Sequence, residues 1–130
     1  MADTVTTQTI ADTSGVKFVA KLTNFSDGTG ETLVKKVDAS ELTFMSEDGN
    51  RSIARVYYSI NTSDNKSGVE LIWDGTTNAT ALFLSGNGFM DFRTDGNIIP
   101  NNAGTPTGDV LLSTKNFASG DNYTIIFEFR

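Results

Sequence analysis

Tyr123-Thr124-Ile125-Ile126-Phe127-Glu128-Phe129-Arg130 is the stretch whose rhythm decides the fold. Tyr123, Ile125, Phe127 and Phe129 fall on one face; Thr124, Ile126, Glu128 and Arg130 fall on the other. Period two with one apolar face is the pattern of a half-buried strand. The same beat recurs upstream. In residues 17–25, Phe18, Ala20 and Leu22 oppose Lys17, Lys21 and Thr23. In residues 52–60, Ala54, Val56, Tyr58 and Ile60 alternate with Ile53, Arg55, Tyr57 and Ser59. Val69, Leu71 and Trp73 share a face of residues 69–73. These faces predict a common core of Val56, Tyr58, Leu71, Trp73, Ile125 and Phe127.

Shorter extended pieces are expected at residues 31–37, 80–84, 88–93 and 109–113. Asp27-Gly28-Thr29-Gly30, Glu47-Asp48-Gly49-Asn50, Asp74-Gly75 and Ser85-Gly86-Asn87 read as turns, with Asp74-Gly75 as a hairpin signal. Asp38-Ala39-Ser40-Glu41 has the spacing of a capping box, hence one helical turn, before a short apolar piece at residues 42–45. Residues 95–107, with Pro100 and Pro106, form the longest irregular stretch. About eight strands spaced roughly ten to fifteen residues apart predict an antiparallel sandwich, a jelly roll or a barrel.

The start of the chain breaks the beat. Thr4-Val5-Thr6-Thr7-Gln8-Thr9-Ile10 has strand propensity but no regular apolar face. It reads as an extended arm, pairing at the edge of its own sheet or a neighbour's. The expected organisation is an arm at 1–12 and one β domain at 13–130.

A chain of 130 residues is long enough for one domain with its own core. It carries net charge −6 and its basic residues are scattered, which argues against binding a phosphate backbone. The first residues have neither a basic segment nor an apolar run, so no secretory leader is read there. No stretch has the apolar length of a membrane helix.

The chain has no His and no Cys. That removes imidazole bases, thiolate nucleophiles and disulfides. Ser85-Gly86-Asn87-Gly88 does not have the spacing of a nucleophile elbow. Asp74, Asp91 and Glu128 are the carboxylates on offer for a glycosidase pair, but as turn and outward strand residues they need no such role. Asp27, Thr29 and Glu31, and separately residues 47–50, offer oxygens for calcium, yet neither has EF-hand order. Tyr57, Tyr58, Trp73 and Phe83 are the aromatic candidates for a sugar or peptide groove; Trp73 belongs with the core. No catalytic, cofactor or metal site is expected.

Several runs taken in order carry a resemblance. They are Thr4-Val5-Thr6-Thr7-Gln8-Thr9, Val56-Tyr57-Tyr58-Ser59-Ile60, Leu71-Ile72-Trp73-Asp74 and Leu84-Ser85-Gly86-Asn87-Gly88. They continue with Asn101-Asn102-Ala103-Gly104, Thr107-Gly108-Asp109-Val110 and Tyr123-Thr124-Ile125-Ile126-Phe127-Glu128. Together the chain resembles small virion structural proteins of tailed bacteriophages, including those of marine bacteria. The resemblance implies a non-enzymatic particle component made in the host cytoplasm. The favoured role is a capsid decoration (cement) protein on the virion surface. Its partner is then the major capsid protein, and it acts as a homo-oligomer, a trimer by preference, without nucleic acid or membrane. A neck or tail component and a carbohydrate- or receptor-binding module are the alternatives. The expected fold is an all-β, single-domain antiparallel β-sandwich, jelly-roll-like, with the extended N-terminal arm.

Overall fold

The computed structural model describes residues 3–13, 17–38, 52–64, 66–93 and 99–130. Among them the chain forms ten strands: β1 (Thr4–Thr13), β2 (Lys17–Asp27), β3 (Val34–Val37), β4 (Ser52–Asn61), β5 (Gly68–Thr77), β6 (Ala79–Leu84), β7 (Asn87–Asp91), β8 (Ile99–Pro100), β9 (Gly104–Lys115) and β10 (Ser119–Phe129). All pairings are antiparallel. One sheet has the order β1-β2-β10-β4-β7, with β8 also on β4; the other has the order β3-β9-β5-β6.

The alternating faces place one core between these sheets. Phe18, Leu22, Val56, Ile125, Phe127 and Phe129 come from the first sheet; Val37, Val69, Leu71, Trp73, Leu84 and Leu112 come from the second. Of the predicted core group, Tyr58 is only half-buried against this cluster and the other residues are buried. Phe129 ties the sheets together, with its ring 4.9 Å from Phe127, 6.1 Å from Phe18 and 5.8 Å from Trp73. Tilted and edge-on contacts of this kind add to what burial alone contributes.

Several sequence expectations are corrected. Ile53 faces inward and is fully buried, although alternation set it opposite Val56. The pairing of β10 with β4 slips between Glu128 and Phe129, so Phe129 meets Ile53 and the phase of β4 reverses there. Asp74-Gly75 is not a turn. It lies inside β5, where the register with β9 shifts and Gly75 pairs with Pro106. A Cβ on Gly75 would stand 2.3 Å from the Gly104 carbonyl oxygen, so the glycine serves close backbone approach. The stretch expected to be irregular holds β8, and β9 begins at Gly104, with Pro106 inside it. Glu31 precedes β3 and is buried. The expected helical turn at 38–41, the apolar piece at 42–45 and the turn at 47–50 lie outside the described residues, apart from Asp38.

Candidate interaction surface

The residues expected as an arm, 1–12, supply most of β1. It occupies one end of its sheet and pairs with β2 from Thr4↔Phe25 to Thr13↔Lys17. Among the described residues, no strand pairs with its outer edge. Thr4, Val5, Thr6, Thr7, Gln8, Thr9 and Ile10 all have exposed side chains. The outward Thr6 hydroxyl touches that of Thr23. Inward-turned Thr7 and Thr9 face Phe18, Val37 and Asp38 across a cleft of 400 Å³, where β1 overhangs the second sheet. The strand is therefore held by its main-chain ladder and buries almost nothing.

Asp3, which the sequence reading passed over, anchors the start of β1. Its Oδ1 accepts bonds from Ser26 Oγ (3.1 Å) and from the backbone N–H of Asp27 (3.2 Å) and Gly30 (3.1 Å). Its Oδ2 accepts from Asn24 Nδ2 at 3.0 Å. No sequence motif marks this contact, because its partners lie more than 20 residues away.

In the first candidate calcium loop the oxygens have partners within the chain, and the second, at 47–50, lies outside the described residues. Glu31 Oε1 accepts bonds from the Tyr123 hydroxyl and from Asn24 Nδ2, each at 2.7 Å. Glu31 Oε2 pairs with the buried ammonium of Lys36 at 2.5 Å. Burial, reinforced by the Glu31 carboxylate, pushes the Tyr123 hydroxyl far above the usual tyrosine range. Asp27 Oδ1 accepts the Thr29 N–H at 3.0 Å, and its bonds to Thr29 lower its pKa. These oxygens are committed to the fold. Among the described residues, no group of three or more acidic, His or Cys side chains is placed to hold a metal.

The outer face of the first sheet reads in rows set by register. Thr6, Thr23, Thr124, Ser59 and Asn87 form a hydroxyl and amide row. Gln8, Lys21, Ile126, Tyr57 and Phe89 form the next. Tyr57 and Phe89 stack at 4.4 Å beside a 360 Å³ concavity lined by Ser59, Asn87, Thr124 and Ile126. Phe89 was missed as a surface aromatic, and only pairing with β4 makes its position legible. The four expected groove aromatics are not brought together. Tyr57 lies outward, Tyr58 inward, Trp73 in the core, and Phe83 is exposed on the other sheet.

The third row carries charge. Glu128 faces outward as expected, yet it is only 1% exposed because arginines cover it. Arg55 Nη2 reaches its Oε1 at 2.9 Å, and Arg130 Nε reaches its Oε2 at 2.6 Å. Burial raises the Glu128 pKa, but the Arg130 bond and the charges of Arg55, Arg130 and Arg93 outweigh it, so the net shift is downward. Asp91 is held well below the carboxylate range by its bonds to Arg93, at 2.7 and 2.9 Å. Neither supplies the proton a glycosidase acid must donate near neutral pH. Asp74 accepts a bond from Thr107 Oγ1 at 2.9 Å, away from both.

Comparison of the chain with protein-family models, curated proteins and solved structures returns no match.

Proposed function

We propose that this chain is a non-enzymatic capsid decoration protein of a tailed bacteriophage, binding the major capsid protein and stabilising the assembled head. The observation that carries this reading is the outer edge of β1, which no strand pairs among the described residues. Between Thr4 and Thr9 the strand has no charge, Pro or Gly; its far end carries a bulge at Ile10 and the charged Asp12. Natural edges are ordinarily guarded by such residues or by a covering segment. Among the described residues no strand covers residues 4–9, and such an edge suits joining subunits by strand addition, which needs main-chain hydrogen bonds and few side-chain motifs.

The strand orders support the finer fold reading. With β1 set aside, β2-β10-β4-β7 and β3-β9-β5-β6 have the order of a two-sheet jelly roll. A fold of that type serves many functions, so it supports the reading without carrying it. The carboxylates clamped by arginine favour a scaffold over a hydrolase. In this reading the protein lies on the virion surface as a homo-oligomer, with a trimer favoured. A neck or tail role shares the same chemistry and differs in copy number.

A second reading rests on the stacked Tyr57–Phe89 pair beside Ser59, Asn87 and Thr124. Aromatic surface next to neutral hydrogen-bonding groups suits a sugar, as in a receptor-binding module. Depletion and add-back separate the two. Particles lacking the protein should survive heat and low salt less well, and purified protein should restore them through its affinity for the assembled form. Depleted particles that are equally robust but fail to adsorb to cells would favour the sugar-binding reading.

A further inference from the structure

We propose that residues 4–9 of β1 are exchanged between copies of this chain, each copy laying its limb on β2 of the next to close a ring. The inference rests on the oligomeric reading above and names the contact that builds the oligomer.

Three observations point to it. First, the limb has no claim on the core of its own chain. Its side chains are exposed on both faces, and it is held by the ladder to β2 and by the bonds of Asp3 to residues 24–30. The β2 strand of a second copy offers those partners unchanged, so exchange gives up no burial.

Second, β1 has a bend point. Its register with β2 shifts between Thr9 and Ala11, leaving Ile10 out of the ladder and 53% exposed. A bulge of this kind interrupts pairing and lets the chain change direction. Residues 11–13 can stay paired while residues 4–9 leave.

Third, the limb and the elements beside it carry exposed apolar side chains. Of the eight large hydrophobics exposed among the described residues, Val5, Ile10, Phe25, Leu33 and Val34 lie on β1, on β2 or at the start of β3. The occupant is a second copy, because the limb needs the β2 ladder and the 24–30 loop as its receptor. Passing the limb head to tail fills every β2 edge only when the ring closes.

Disulfide trapping tests this. The chain has no cysteine, so any link comes from introduced residues. Thr6 and Thr23 face each other across β1 and β2, and Thr23 and Thr124 across β2 and β10. The full-length variant T6C/T23C is oxidised in its native state and run on a denaturing, non-reducing gel. T23C/T124C serves as the control for an intact fold and should link within one chain. Exchange predicts that T6C/T23C runs chiefly as interchain species ending at one closed size, collapsing to monomer on reduction. Links only within single chains, or no link while the control forms its own, overturn exchange. Sedimentation of the same samples with capsids keeps the two readings apart. Intrachain linkage with capsid binding sinks exchange alone; a closed interchain ring that ignores capsids sinks the decoration role alone.

Discussion

Glu31 and Lys36 form the most consequential pair at the scale of single residues. Both side chains are almost wholly buried, and Tyr123 and Asn24 complete the shell of the carboxylate. Removing one member of such a pair leaves the other charge buried without compensation. Lys36→Met should therefore cost about 3–5 kcal/mol of unfolding free energy. Tyr123→Phe, which removes only a neutral donor, should cost about 1–3 kcal/mol. Urea unfolding of both variants checks the order, and a Lys36→Met loss below that of Tyr123→Phe contradicts it. Glu128 governs the response to acid. Its folded pKa lies below the ordinary glutamate value of 4.5, so its contribution is complete above that pH and is lost as pH falls through the folded value. Asp91 acts in the same direction from 3.8. The urea midpoint should thus fall on acidification below about pH 4.5, and Glu128→Gln should be less stable at neutral pH with a shallower acid slope. An equally steep slope in Glu128→Gln would mean that the arginine clamp is not the source.

Elements differ in how openly the sequence displayed them. Alternation made β2, β5 and β10 legible because each buries one face on the core. It misphased Ile53 because a slip in pairing belongs to two strands, and neither records it alone. Asp74-Gly75 misled for a related reason. The dipeptide has turn chemistry, but the glycine answers to the approach of Gly104, which lies distant in sequence. Gly75→Ala should accordingly destabilise by about 1–3 kcal/mol, as overpacking does. A neutral result, read by thermal or urea unfolding, would return Gly75 to an ordinary flexible position. At the surface, the lack of an apolar face foretold that Thr4 to Ile10 would bury little. The Asp3 anchor, the arginine cover over Glu128 and the Tyr57–Phe89 stack were hidden, since each depends on residues far apart in sequence.

Across the whole molecule, two antiparallel sheets share one core, and most of the distinctive chemistry lies at the surface and along one edge. The net charge of −6 favours solubility of the free protein. The β1 edge, which no strand covers among the described residues, favours assembly. A decoration protein joins these properties, remaining soluble until a repeating lattice offers it many equivalent sites. Its abundance must then follow that lattice. The most direct measurement is the band intensity of this protein in purified virions, normalised to mass and compared with the major capsid protein. The account predicts a copy number in simple proportion to the capsid protein. A band fainter by more than an order of magnitude, as a single neck or tail ring would give, contradicts it.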